Sequence, residues 1–438
     1  MSDPTSDDHS GAASLWKAGY ASMKPADVSR RTLLAGLGAG SVGFAAAALA
    51  LRDHSNPAAS DLMAAGSSSS VDFHGAHQAG IATAAQDRLA FASFDVTTND
   101  RSELRDLLKE WTAAAAAMSK GELVAGESNR LDASPADTGE AVGLPPGLLT
   151  ITSGFGPSLF DRRFGLATRK PIPLQRLPPL PGEELDPDRS DGDLCIQACS
   201  QDPQVAFHVI RNLARIGRGV VQMRWSQLGF GRTSATTTGQ STARNLMGFK
   251  DGTRNIRADK VAQMNDHIWV GNGSDQAWMT GGTYLVSRRI RMQIEGWDRD
   301  VLSDQQKIFG RTKHEGAPLT GIKESQAPDY EAKNPDGTPV IAANAHIRLA
   351  APENNDGRSI LRRGYSYTEG IDPASGELDA GLFFIAFMRD PQVFIDLQNK
   401  LGSQDALNEY IKHVASGLFA CPGGVTKTGE HWGSALFD

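Results

Sequence analysis

The sequence contains, from Asn344 to Tyr367, the stretch Asn-Ala-His-Ile-Arg-Leu-Ala-Ala-Pro, a polar turn, and Arg-Ser-Ile-Leu-Arg-Arg-Gly-Tyr-Ser-Tyr. His346 lies sixteen positions before Arg362, the first of two adjacent arginines. The Asn, Asp and Gly residues between them are typical of a chain reversal. The stretch therefore predicts that a histidine and an arginine face one pocket, although a single histidine is usually only a satisfied, partly buried side chain.

A second stretch, Gly-Phe-Lys-Asp-Gly-Thr-Arg-Asn from Gly248 to Asn255, places the acid Asp251 between two glycines. Asp-Gly is a common turn pair, so this motif alone also fits an ordinary turn. Near a histidine and an arginine, however, a carboxylate in a dry pocket is suited to proton transfer.

Together, the two stretches resemble the dye-decolourising (DyP-type) haem peroxidases, and especially the exported subgroup associated with bacterial iron uptake. That family is marked by Gly-x-x-Asp-Gly, a proximal haem-ligating histidine and a distal arginine soon after it. The resemblance runs from about Gly75 to Asp438. It implies an α+β fold of two ferredoxin-like domains, a duplicated α+β barrel, with one haem b at the second domain.

The resemblance assigns His346 as the axial ligand of the haem iron, Asp251 as acid and base toward peroxide, and Arg362 as the electrostatic stabiliser. A carboxylate on the other imidazole nitrogen makes such a ligand more electron-donating. Glu409 is our candidate for that carboxylate, with a solvated helix face as an equal alternative.

Gly252, Thr253 and Arg254 are expected to line the haem, with Arg254 pairing a propionate. The glycines are expected to let the backbone approach the flat ring. Glu353 departs from the subgroup, which usually has a base there, and this puts a propionate contact on that side in doubt. Arg363 is expected to be a surface residue.

Composition limits the broad class of protein. The chain has 438 residues, 40% of them hydrophobic and 22% charged, which suits a soluble protein of two domains. Its net charge of −7 argues against a nucleic-acid partner. Three cysteines are too few for a disulfide framework. Cys195 and Cys199 are too far apart for a Cys-x-x-Cys site and are expected to be buried thiols.

The N-terminus resembles a twin-arginine (Tat) export signal, because Arg30 and Arg31 precede an uncharged, Ala- and Gly-rich run from Leu33 to Leu51. We assign residues 1–50 to this signal and 51–72 to a flexible linker. An uncleaved anchor and a buried helix are weaker alternatives. Tat export of a folded, cofactor-loaded protein predicts a periplasmic or extracellular location and the Tat machinery as a partner.

Hydrophobic periodicity predicts a first domain over residues 73–235 and a second over 236–438. The first half follows the order strand, helix, strand, strand, helix, strand, which is ferredoxin-like. The second half repeats part of this order, with strands in 278–294, a helix at 303–311, a strand at 381–387 and a helix at 391–401. Two such domains, with their sheets packed together and a pocket at their seam, would match the α+β barrel that the resemblance implies.

The predicted function is reduction of hydrogen peroxide with oxidation of an organic, dye-like or phenolic donor. Alternatives are iron release from haem, a haem carrier without turnover and a membrane-anchored structural protein; the Asp251 motif argues against chlorite-splitting enzymes. The resemblance also admits a homodimer and partners in iron uptake. Bulky donors would require electron transfer through surface aromatic residues, for which the candidates are Trp225, Trp269, Trp278, Trp297, Tyr365 and Tyr367.

Overall fold

The computed structural model describes residues 70–125 and 131–438. The predicted signal (1–50) and the linker as far as residue 69 lie outside this part of the chain. Within the described ranges, no helix is both long and apolar enough to cross a membrane.

The described residues form nine strands and seven α-helices. The strands are β1 (Arg88–Val96), β2 (Thr150–Phe155), β3 (Leu194–Ser200), β4 (Val221–Arg232), β5 (Thr283–Met292), β6 (Leu361–Arg362), β7 (Tyr365–Ile371), β8 (Leu378–Met388) and β9 (Ile411–Cys421). The helices are α1 (Arg101–Met118), α2 (Pro203–Ile216), α3 (Val261–His267), α4 (Ile294–Trp297), α5 (Leu302–Phe309), α6 (His346–Leu349) and α7 (Gln392–Gln404).

One antiparallel sheet closes on itself into a barrel. Its strand order is β5-β9-β2-β3-β1-β4-β7-β8-β6, and β5 also pairs with β8. The first half of the chain joins the second half at two edges, where β2 meets β9 and β4 meets β7. The fold is thus a mixed α/β barrel with a continuous sheet rather than two separate sheets.

The elements of the first half follow from local sequence signals. Helix α1 is capped by Asp100, whose carboxylate accepts from the backbone N–H of Ser102, and it buries Leu104, Leu108 and Trp111 on one face. Helix α2 is capped by Asp202 in the same way, with a proline at its first position.

The second half departs from the prediction in several elements. Residues 278–294 contain one strand, β5, because Trp278 lies in a short 3₁₀ turn. Strands β6, β7 and β9 were not predicted. Strand β9 is the most consequential of these, since it pairs with β5 along its whole length and with β2.

The barrel interior is filled by aromatic and aliphatic side chains, among them Phe91, Tyr365 and Phe383. Arg363 also points into this interior and is 0% exposed, so the expectation of a surface residue was wrong. Its guanidinium donates to Gln86 Oε1 at 2.5 Å and to the backbone oxygen of Thr83. These contacts replace part of the hydration that the buried guanidinium loses, while its Nε has no hydrogen-bond partner among the described residues. All three cysteines are buried and free.

The outer face of β5 and β8 forms the floor of a cavity. Along β8, Leu382 and Phe384 face this cavity, whereas Phe383 and Phe387 belong to the barrel interior. This alternation is the period of two that a strand imposes. Leu382 and Phe384 therefore wall the cavity, while Phe383 and Phe387 form core.

A methyl group at Gly381 is expected to disrupt the barrel wall. A Cβ there would lie 2.0 Å from the backbone oxygen of Ile290 on the adjacent strand β5. Overpacking of this kind should lower the free energy of unfolding of Gly381→Ala by about 2–3 kcal/mol in urea titrations. The control Gly273→Ala, where no atom lies within 4 Å of the added carbon, should change it by less than about 0.5 kcal/mol. Equal effects would contradict the packing argument.

Candidate active site

His346 begins helix α6, and its ring is held by a buried carboxylate. Nδ1 lies 2.6 Å from Asp405 Oδ2, and the Asp405 side chain is 3% exposed. Burial alone would lower the pKa of His346, but the carboxylate of Asp405 outweighs it and raises this pKa. Because a carboxylate only accepts, Nδ1 carries the proton and Nε2 is left as the ligating nitrogen.

Glu409 was the wrong candidate for this carboxylate. It is exposed, whereas Asp405, four residues earlier in the same turn, contacts the imidazole. Asp405 also accepts from the backbone N–H of Leu407 at 2.9 Å, which fixes its orientation.

Asp251 and Arg362 form a second pair beside the same cavity. Arg362 Nη1 donates to Asp251 Oδ1 at 2.6 Å, and the two side chains are only partly accessible. Arg362 lies on β6, opposite Ala386 of β8. The structure therefore brings together the acid, the arginine and the histidine that the sequence singled out.

Asn255 positions Arg362 and was missed by the sequence analysis. Its Oδ1 accepts from the backbone N–H of Arg362 at 2.8 Å, and its Nδ2 donates to the backbone oxygens of Arg362 (2.9 Å) and Ala235 (3.1 Å). Asn255 ends the motif that contains Asp251, so its place in the sequence was the only available signal.

Both glycines of the Asp251 motif have the left-handed conformation, with φ of +83° at Gly248 and +104° at Gly252. A Cβ on Gly252 would come within 2.9 Å of Ser234 Cα. Gly252 also lines the cavity, and the approach of its backbone to a bound ring stays a prediction.

The two residues after Gly252 pair with carboxylates. Thr253 Oγ1 donates to Glu324 at 3.0 Å, and Arg254 donates with both terminal nitrogens to Glu353, one of them at 3.1 Å. Arg254 lines the cavity, but Glu353 already occupies its guanidinium. The unusual acid at position 353 therefore has a partner within the protein.

A cavity of about 510 Å³ connects these groups, and His346, Asp251 and Arg362 all line it. Every residue of its wall lies between Asn245 and His413. The cavity therefore belongs to the second half of the chain, and the expectation of a pocket at the seam of two domains was wrong. Its apolar wall includes Met247, Phe249, Ile290, Met292, Phe309, Leu382, Phe384 and Leu407.

Arg311 also lines the cavity and was not predicted. It is 5% exposed, and no carboxylate in the described part of the chain lies within 4 Å of its guanidinium. Burial lowers its pKa. A buried cation without a counter-ion is costly, so this place is suited to an anionic group.

These features fit haem. The cavity volume lies in the range of cofactor sites, and its wall is mostly apolar. A carboxylate-supported imidazole is a standard iron ligand, and Arg311 offers a cation for a propionate.

Comparisons with known proteins agree with this geometry. The family models "Dyp-type peroxidase, N-terminal" and "Dyp-type peroxidase, C-terminal" match residues 78–231 and 242–426. The chain is 38% identical to a deferrochelatase of Escherichia coli O6:K15:H31 (strain 536 / UPEC) over 415 residues, which is 93% of this chain and 96% of the relative. A deferrochelatase of Yersinia pestis is 38% identical over 372 residues, 84% of each chain.

Solved structures match as well. DtpA from Streptomyces lividans is 40% identical with a TM-score of 0.77, covering 85% of this chain and 98% of that one. A DyP-type peroxidase from Streptomyces coelicolor is 39% identical with a TM-score of 0.78 and the same coverage. The chain belongs to the DyP-type peroxidase family. It is accordingly a haem peroxidase, which reduces hydrogen peroxide at the expense of a reducing donor.

The buried His413 should make stability fall in acid. It lines the cavity, and burial together with the charge of Arg288 lowers its pKa to about 3. Between pH 6.5 and about 3, His413 binds a proton in the unfolded chain but stays neutral in the folded chain. The free energy of unfolding should therefore fall by about 1.4 kcal/mol per pH unit between pH 6 and 4 through this residue.

His413→Gln should flatten that dependence in urea titrations at several pH values. His314→Gln is the control, because the His314 side chain is 96% exposed and should leave the slope unchanged. If the free energy of unfolding of His413→Gln depends on pH as steeply as that of the wild type, His413 does not cause the loss of stability in acid.

Proposed function

We propose that His346 holds the haem iron through Nε2, supported by Asp405, and that Asp251 and Arg362 act on the peroxide. The observation that carries this proposal is the convergence of the hydrogen-bonded pair His346–Asp405 and the ion pair Arg362–Asp251 on one largely apolar cavity. The haem, when bound, supplies the redox chemistry of peroxide reduction.

Asp251 serves as the proton carrier. Its carboxylate takes the proton from one peroxide oxygen and returns it to the oxygen that leaves as water. Arg362 donates toward the negative charge that develops on the leaving oxygen. Because Asn255 bonds both the backbone N–H and the backbone oxygen of Arg362, the guanidinium needs little rearrangement during this step.

Arg311 is the residue that we propose to hold a haem propionate, in place of the expected Arg254. Arg311 is buried and has no carboxylate partner in the described chain, whereas Arg254 is more exposed and paired with Glu353. A propionate at Arg311 would provide the missing counter-ion.

Iron release from haem is a second candidate function, favoured by the relatives named deferrochelatase at 38% identity. It would use the same residues to bind the haem. Removal of the iron leaves two porphyrin nitrogens that each take up a proton, and Asp251, a carboxylate of the cavity wall, is suited to deliver one.

We further propose that residues 1–50 are a Tat signal, that 51–72 are a linker, and that two ferredoxin-like domains span 73–235 and 236–438, the second carrying the haem. The matched family ranges, 78–231 and 242–426, support a boundary between them. The twin arginine at positions 30 and 31 supports export to the periplasm or the exterior.

Removal of the peroxide-side groups should slow the reaction with peroxide but retain haem. Stopped-flow mixing of haem-loaded Asp251→Asn or Arg362→Gln with hydrogen peroxide should show a second-order rate constant about 10²–10³ lower than wild type. A wild-type spectrum that peroxide leaves static would contradict the proposal and favour a carrier. Porphyrin fluorescence appearing without peroxide would favour iron release.

Haem retention distinguishes between Asp405 and Glu409 as the carboxylate that supports His346. Asp405→Asn should weaken haem binding about 10–100-fold, because it removes the charge that orients and polarises the imidazole. Transfer of haem to apomyoglobin measures this. Glu409→Gln, an isosteric change in the same turn, should leave the transfer rate unaltered, and the opposite ranking would restore Glu409 as the supporting acid.

A further inference from the structure

The exposed part of the cavity wall marks where the cavity opens to solvent. A few of the residues that line the cavity are exposed, whereas the others are buried or only partly accessible. The exposed ones are Arg254, Asn354, Asp356, Arg358 and Asp396. They belong to the loop that carries Asp251, to the turn after α6 and to α7. These three segments therefore form the rim of the opening.

An ion pair crosses this rim between two of the segments. Arg254, three residues after Asp251, donates with both terminal nitrogens to Glu353, seven residues after His346. The two side chains are 37% and 53% exposed. The hydrogen bond lowers the pKa of Glu353 and raises that of Arg254, so both groups are charged at neutral pH. The pair thus joins the Asp251 side of the cavity to the His346 side at the outer edge.

The turn that carries Glu353 is firmly attached to the elements around it. Asn355 Nδ2 donates to the backbone oxygen of Leu349, the last residue of α6, at 2.8 Å. Lys400 Nζ on α7 donates to the backbone oxygen of Asn354 at 2.6 Å. Glu353 is therefore a fixed partner at the rim.

The loop that carries Asp251 is held differently. Lys250 and Thr253 of this loop bind Glu324, at 2.6 Å and 3.0 Å, and not the turn after α6. Arg254 has a φ of +66°, in the left-handed region that residues with a Cβ rarely adopt. Such a residue persists where its surroundings hold it in place, and the pair with Glu353 is a contact of this kind. Loss of the pair therefore favours movement of this end of the loop away from the turn.

We propose that Arg254 and Glu353 form a latch across the opening of the cavity, and that breaking this ion pair limits how fast haem enters and leaves. A haem bound at His346 and facing Asp251 lies between the two segments that the latch joins, so it passes the latch on its way out. In iron release, the porphyrin that remains would leave by the same opening. This inference rests on the proposed placement of haem at His346.

Transfer of haem from the holoenzyme to apomyoglobin measures the latch. At low salt, the rate of transfer should rise roughly two- to fivefold in Glu353→Gln and in Arg254→Gly, the range expected for an exposed ion pair. The double variant should show no further rise, because either change alone breaks the pair. Added salt should speed transfer from the wild type and leave the variants nearly unchanged.

Two results of this experiment would overturn the latch. Wild-type transfer rates in both single variants would show that the pair does not limit exchange. A faster rate in Arg254→Gly alone would show that Arg254 binds a propionate and that Glu353 has no part in retention. A wild-type protein that takes up haem without a Soret band of a histidine-ligated iron would instead defeat the proposed function.

A second ion pair of the rim is the matched control. Arg358 and Asp396 pair at 2.5 Å, and their side chains are 45% and 46% exposed, but they join the turn to α7 and not to the loop of Asp251. Arg358→Gln should therefore change the transfer rate less than Glu353→Gln does. An equal rise in both variants would show that any loss of charge at the rim loosens haem, and the latch would be refuted.

Arg254→Gly also distinguishes a latch from a general loss of structure. Glycine adopts a positive φ without steric cost, so the free energy of unfolding in urea should not fall in this variant although haem leaves faster. A lower free energy of unfolding that accounts for the faster transfer would contradict the inference.

Charge reversal tests the pairing itself. Glu353→Arg places two guanidinium groups at the rim and should speed haem transfer more than Glu353→Gln, because like charges repel. The swapped double variant Arg254→Glu/Glu353→Arg should bring the rate back toward that of the wild type. If the swap does not slow transfer relative to Glu353→Arg alone, the two side chains do not act as a pair.

Discussion

The active site depends on the hydrogen bond between His346 Nδ1 and Asp405 Oδ2, which joins positions 59 residues apart. It ties the start of α6 to the turn that follows α7, and the backbone N–H of Ala406 reinforces this contact by donating to Asn344 at 3.1 Å. Asp405 is almost completely buried, so loss of its partner would leave an uncompensated charge, at a cost of about 3–5 kcal/mol. One bond therefore fixes the imidazole's tautomer, its direction and the closure of this side of the cavity.

The ion pair between Arg362 and Asp251 is held in place in a different way. Arg362 stands on a barrel strand and Asp251 on a loop, and Asn255 joins the two by bonding the arginine backbone. The Arg362–Asp251 pair is neutral overall, whereas the buried Arg311 has no carboxylate within 4 Å among the described residues. A cavity arranged in this way demands an anionic occupant with an apolar body, and haem has both properties.

The sequence predicted the local elements of the first half and the convergence of Asp251, His346 and Arg362, because periodicity, caps and short motifs are local signals. The sequence did not predict the features that depend on contacts between residues far apart in the chain. Asp405 and Glu409 are four positions apart in one turn, and only the packing of that turn against α6 decides between them. The closure of β5 on β8 is likewise a long-range pairing without a local signature.

Arg363 is an instructive case, because its burial could have been anticipated. Adjacent residues of a strand point to opposite faces, so if Arg362 faces the cavity then Arg363 must face the barrel interior. Arg363 was expected at the surface because the short strand β6, which ends at Arg362, was not recognised. A site residue on a strand thus also determines where its neighbour lies.

The arrangement of charges argues against a passive haem carrier. A carrier needs His346, Asp405 and a cation for a propionate, but it gains nothing from holding Asp251 against Arg362 beside the cavity, where the loss of hydration of both groups opposes folding. The Asp251–Arg362 pair has an evident use only if a proton moves and charge develops at the cavity.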